Sequence, residues 1–152
     1  MKILARQLTV DLYNCKNSKL NDKEAIEATL ASIAQEHQFK VLHAYAAAIS
    51  EDHFCAMLLC QEGHIGVHVY TDLKYVAIDL FICDENANPE EIFRTIRKFF
   101  KPDKVRTTFL KRGDFGSNRD ARPKIKNRIA PVRRIRNTGA KVVRILARRN
   151  KA

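Results

Sequence analysis

A chain of 152 residues with 45% apolar and 30% charged side chains suits one domain with a filled core and a short appendage. It holds no run of eighteen apolar residues, which excludes an ordinary membrane-spanning helix. Its net charge of +11 is unevenly placed: residues 118–152 carry thirteen Lys and Arg against Asp120 alone, giving +12, whereas residues 1–117 carry fifteen bases and sixteen acids, giving −1. The two parts are therefore read separately, as a near-neutral domain over 1–117 and a basic C-terminal extension over 118–152.

The first fifteen residues interrupt their apolar run at Arg6, Gln7 and Asp11 and show no small-residue cleavage site, so a cytoplasmic protein is expected. Cys15, Cys55, Cys60 and Cys83 form no CxxC pair and match no zinc spacing. The plain expectation is reduced thiols, mostly in core strands.

Residues 7–13 alternate, with Leu8, Val10 and Leu12 on one face, as a half-buried strand does. Asn21 to His37 predicts a helix, with Asn21 and Glu24 as a capping box and Ile26, Leu30 and Ile33 as the buried stripe. Residues 39–49, 53–61, 64–70 and 75–83 read as four strands. Asn88 caps a second helix, with Pro89 at its first position and acids in its first turn. Ile92, Ile96 and Phe99 line its inner face, and Pro102 ends it. Residues 104–111 return as a strand. The order β-α-β-β-β-β-α-β predicts an α+β, two-layer sandwich: an antiparallel sheet with helices on one face.

The hairpin of residues 64–83 is the most informative stretch. His64, Gly66, His68 and Tyr70 share one parity, and Tyr75, Ala77, Asp79, Phe81 and Cys83 share the matching one. A tight turn over 71–74 makes paired positions sum to 145, which sets the apolar residues of both strands on one face. Gly66 then faces Asp79, His68 faces Ala77, and Glu62 faces Cys83. His64 and His68 lie four strand positions apart, about 13 Å, too far to share one zinc ion. No metal site is expected.

The segment from Glu62-Gly63-His64-Ile65-Gly66-Val67-His68-Val69-Tyr70-Thr71-Asp72 through Tyr75-Val76-Ala77-Ile78-Asp79-Leu80-Phe81-Ile82-Cys83 resembles the signature of prokaryotic S-adenosylmethionine decarboxylases. That signature reads approximately E-S-H-L-T-I-H-T-W-P-E, followed by Y-A-A-I-D-L-F-T-C. Leu12-Tyr13-Asn14-Cys15 and Arg112-Gly113 also fit, so the resemblance covers about residues 1–115. It implies a sandwich protomer that dimerises by packing sheets together. It also implies an enzyme of spermidine (polyamine) biosynthesis that cuts its own chain between glutamate and serine. The serine becomes a pyruvoyl group, which draws off electrons as the substrate loses carbon dioxide.

On this chain Glu62 matches the residue before the cut, His68 the histidine that assists processing, and Cys83 the thiol that reprotonates the product carbon. Gly63 stands where the family has its serine, so the acyl shift has no nucleophile and no pyruvoyl cofactor is expected. Cys55 replaces a serine that helps processing. Tyr70 replaces the tryptophan that stacks on adenine, Ile49 falls where an aromatic often completes that stack, and Asp72 replaces the ribose-binding glutamate. Cys60 is the one nearby alternative nucleophile, but its odd offset from Gly63 directs it to the opposite face.

In the extension, Ile125, Ile129 and Val132 recur at helical spacing, broken by Pro131. Arg133, Arg134, Arg136, Lys141, Arg144, Arg148 and Arg149 are candidates for gripping a polyanion, nucleic acid or acidic membrane, against the plainer reading of a solvated tail. No aromatic follows Phe115, so base stacking is unavailable there.

Three functions follow. The preferred one is a decarboxylase relative that does not self-process, binds S-adenosylmethionine or a related nucleoside, and forms a homodimer or a mixed dimer with an active homologue. The second is a working decarboxylase of S-adenosylmethionine or another amino acid with atypical processing. The third is a polyanion-binding module acting through the tail.

Overall fold

The computed structural model describes residues 5–84, 87–113 and 124–129. Its elements are β1 (Ala5–Cys15), α1 (Lys23–Glu36), β2 (Val41–Ala48), β3 (His53–Cys60), β4 (Gly63–Tyr70), β5 (Tyr75–Ile82), α2 (Pro89–Phe100), β6 (Pro102–Arg112) and β7 (Lys124–Ile129). The strands form one seven-stranded sheet in the order β2-β3-β4-β5-β1-β6-β7. Every neighbouring pair is antiparallel. The architecture is the expected α+β sandwich.

Alternation along the strands decides which face is covered. Leu8, Val10 and Leu12 of β1, Ile65, Val67 and Val69 of β4, and Val76, Ile78, Leu80 and Ile82 of β5 are all at most 3% exposed. Ile26, Leu30 and Ile33 of α1 and Ile92, Phe93, Ile96 and Phe100 of α2 close the core over them. Each such side chain contributes about 1.5–3 kcal/mol through removal of apolar surface from water. Neither α1 nor α2 covers the other sheet face. It presents Tyr45, Met57 and Leu59, which are 61%, 50% and 44% exposed.

Two local expectations are corrected. The cap of α1 is Asp22, whose carboxylate accepts the Ala25 N–H at 2.8 Å; Asn21 lies one residue too early. Residues 124–129 are a strand rather than part of a helix, and they pair with β6, Thr107 facing Lys126. Two isoleucines four residues apart fit either periodicity. The unpaired backbone groups along the edge of β6 then favour the strand. The sheet thus runs into the stretch that the charge count assigned to the extension. Among the described residues, no helix is long and apolar enough to cross a membrane.

Candidate active site

β4 carries the candidate site, and its register is the one the hairpin predicted. Gly63 faces Ile82, Gly66 faces Asp79 and Tyr70 faces Tyr75. The pairing continues past the strand ends, where the Cys83 N–H donates to the Glu62 carbonyl at 2.6 Å. The Glu62 carboxylate accepts the Lys40 N–H at 3.0 Å, tying the β3–β4 turn to the start of β2. Cys83 is exposed at this corner.

Gly63 opens β4 with φ of +151°, a region that side-chain-bearing residues rarely adopt. A Cβ built there would lie 1.9 Å from the carbonyl oxygen of Phe81 and 3.0 Å from the Ile82 Cα. The space that a serine side chain would need is occupied by the backbone of β5. Cys60 pairs with Gly63 across the β3–β4 turn but is 5% exposed among core residues. Burial, and then the nearby Glu62 carboxylate, raises its thiol pKa. The odd-offset expectation is corrected: the turn at Gln61-Glu62 makes Cys60 the direct ladder partner of Gly63, so the two share the core face of the sheet, and it is burial that leaves Cys60 a poor nucleophile.

The other candidates gather toward the far end of β4. Cys55 faces His68 and His53 faces Tyr70 across β3–β4. The His53 and Tyr70 rings stack with centroids 4.1 Å apart and 11° between planes. His53 Nε2 lies 3.0 Å from His68 Nδ1, so one imidazole donates to the other. The turn beyond is knotted by backbone bonds. Ile49 and Ser50 N–H both donate to the His53 carbonyl, at 2.8 and 2.9 Å, and Thr71 N–H donates to Asp52 at 2.9 Å. Ile49 is 58% exposed there. Desolvation, and then the neighbouring Asp72 carboxylate that shares a hydrogen bond with it, raises the pKa of Asp52. Tyr75 continues the aromatic row, with centroids 5.7 Å from Tyr70, and donates to Asp11 at 2.6 Å.

The candidates therefore form two groups within one protomer. Glu62, Gly63 and Cys83 sit at one end of β4; Cys55, His68, Tyr70, Asp72 and Ile49 sit toward the other. Five strand positions separate Gly63 from His68, about 16 Å. His53 is a member of the second group that the sequence reading missed. Its signal lay in the β3–β4 register, which follows from a two-residue turn at Gln61-Glu62. Between the groups, the sheet face has a hollow of about 360 Å³ floored at Gly66 and lined by Asp11, His64, His68 and Asp79. Asp79 accepts from Gln7 at 3.0 Å and lies 4.0 Å from His64. Among the described residues no three His, Cys, Asp or Glu converge as metal ligands would. Arg133, Arg134, Arg136, Lys141, Arg144, Arg148 and Arg149 lie outside the described residues.

The fold is similar to that of the adenosylmethionine decarboxylase from Aquifex aeolicus. The two structures agree with a TM-score of 0.69 over 78% of this chain and 98% of that one, at 16% identity. The sequence profile of S-adenosylmethionine decarboxylase matches residues 6–113, and the chain belongs to that family. The S-adenosylmethionine decarboxylase proenzyme of Methanococcus vannielii is 30% identical over 113 residues, spanning 74% of this chain and 93% of the relative. That of Caldicellulosiruptor saccharolyticus is 29% identical over 115 residues, spanning 76% and 93%. β7 lies beyond the matched stretch.

Proposed function

We propose that this chain is an S-adenosylmethionine decarboxylase homologue that stays in one piece and acts as a nucleoside-binding or regulatory paralogue in polyamine metabolism. Gly63 carries the proposal. Self-cleavage of the family type begins with a side-chain oxygen at that position attacking the preceding carbonyl, and glycine supplies none. The φ of +151° and the Phe81 carbonyl at the Cβ position support a junction built around glycine. Cys60 is buried in the core, and Cys55 belongs to the distant group. The residues at the junction do not fit a pyruvoyl group.

What remains suits binding. The Tyr70 ring, held flat by His53, offers a face for adenine, and the Asp72 carboxylate offers acceptors for ribose hydroxyls. Cys83 and Glu62 are too far along β4 to touch the same small ligand. A complete site therefore needs two protomers with their bare sheet faces together and strands reversed, so that Cys83 of one meets His68 and Tyr70 of the other. That arrangement fits a homodimer, and equally a mixed dimer in which an active homologue supplies the cleaved junction.

Intact-mass measurement tests the core of the proposal. One species with the mass of the whole 152-residue chain is expected. Two fragments divided after Glu62, or carbon dioxide released from carboxyl-labelled S-adenosylmethionine, overturn it in favour of a working decarboxylase.

A further inference from the structure

β7 sets a row of bases against a helix. Lys124, Lys126 and Arg128 pair with Phe109, Thr107 and Val105. Those partners lie on the helix side of β6, since they in turn pair with the buried Leu8, Val10 and Leu12. Alternation therefore puts all three bases of β7 on the same side as α2. On α2, Glu90, Arg94 and Arg97 are spaced i, i+4, i+7 and form one stripe. The two rows line a groove made of two adjoining hollows. Phe93, Val105 and Thr107 floor one of about 40 Å³, rimmed by Arg94, Arg97 and Arg128, while Lys124 borders the other, of about 220 Å³. The Lys126–Glu90 ion pair, at 2.7 Å, stands between the hollows.

Among the described residues, Glu90 is the single acid in the lining of either hollow, against five bases from β7 and the α2 stripe. Its carboxyl pKa is lowered, chiefly by the Lys126 hydrogen bond and further by Lys126, Arg128 and Arg94 charges. Arg94, Arg97, Lys124 and Arg128 are exposed. Successive bases on β7 repeat at about 6.8 Å, two strand positions. This is a linear array of positive charge in a concave channel, and the sequence that follows, 130–152, adds eight Lys and Arg and no acid.

We infer that the groove between α2 and β7 binds the phosphodiester backbone of a nucleic acid through Arg94, Arg97, Lys124, Lys126 and Arg128. A repeat of bases suits a chain of phosphates better than one phosphate. A recessed channel with its apolar residues on the floor does not lie flat on a bilayer or insert into it, and the exposed Ile125 of β7 is on the opposite side of the strand. Among the described residues the two rings in the lining, Phe93 and Phe109, are floor residues packed against the core rather than an exposed row for base stacking, so binding is indifferent to sequence and steep in salt. The groove uses none of the candidate active-site residues, so it stands whether or not the chain processes itself.

The test is fluorescence anisotropy of the full chain with labelled oligothymidylate across a salt series, with thermal unfolding as the folding control. Replacing Arg94, Arg97, Lys124 and Arg128 together by glutamine is expected to weaken binding at least tenfold at low salt. The log–log salt slope should become shallower by roughly 0.7 for each phosphate that the variant no longer neutralises. Glu90→Gln, which frees Lys126 and removes the one acid, is expected to tighten binding two- to threefold, a gain that misfolding does not produce. Unchanged affinity and slope in the fourfold variant, with all binding lost on deleting 130–152, assign the interaction to the tail and overturn the inference. It is equally overturned if inorganic phosphate competes as well as the oligonucleotide at equal phosphate concentration, or if the substitutions abolish binding only to phosphatidylserine vesicles.

Discussion

At Gly63 the missing hydroxyl is only half of the change; the backbone has taken a form that resists its return. Gly63→Ser is therefore expected to leave the chain uncut on a denaturing gel, because the new side chain meets the Phe81 carbonyl before it can reach its own preceding carbonyl. Gly63→Ala tests the strain without any chemistry. It should lower stability by about 1–3 kcal/mol in urea unfolding, the usual range for forcing a side chain into such a conformation. The sequence made the absent nucleophile plain, since it is a matter of residue type. The φ and the close approach of β5 were not legible, because both depend on how two strands meet.

Cys15 makes a second residue-scale argument, through pH. Burial, and then the Asp103 carboxylate, pushes its thiol pKa from 9.0 up to about 12. The unfolded chain loses that proton near 9 while the folded chain keeps it, so the unfolded state binds fewer protons in between. The Cys15 contribution is complete below about 9 and is lost as pH rises toward 12. Burial and its bond to Asp11 raise the Tyr75 pKa in the same direction. Cys15→Ala is expected to flatten the alkaline fall in the thermal unfolding midpoint between those values; an unchanged slope assigns the fall to other groups.

Among the elements, legibility followed the strength of the pattern. The β4–β5 register was readable because apolar parity and a short turn agree, and a slip by one would turn Val67 and Ile78 out of the core. β7 was not, since its isoleucine spacing fits a helix and a strand alike and only the edge of β6 decides. The β3–β4 pair lies between: its turn is short, but Cys60 through Gly63 carry no turn signal stronger than one glycine. That pairing sets His53 under Tyr70, and it yields a prediction. His53→Ala removes the ring that holds Tyr70 flat and should weaken nucleoside binding severalfold by calorimetry, with the unfolding midpoint little changed because His53 is half-exposed. If affinity is untouched, Tyr70 is not the adenine platform.

On the scale of the whole molecule, the candidate residues of one protomer divide between the two ends of a single strand, and this sets the terms for the proposed assembly. Family resemblance at the level of sequence gave the residues and a dimer, but not the separation, which appears only when β4 is measured end to end. The bare sheet face between the groups carries Tyr45, Met57 and Leu59 at 61%, 50% and 44% exposure. Apolar side chains of this size gathered on one face are suited to burial against a second sheet about 10 Å away. A charge placed there would be desolvated without a partner on association, at a cost of several kcal/mol. Leu59→Lys with Met57→Lys is therefore expected to break the proposed dimer into monomers in sedimentation velocity while circular dichroism stays unchanged, because neither side chain enters the core. The same variant should lose nucleoside binding, since Tyr70 would then face water rather than the Cys83 end of another β4. A monomer that still binds with full affinity would show instead that one sheet face suffices, and the two ends of β4 would have to be read as independent sites.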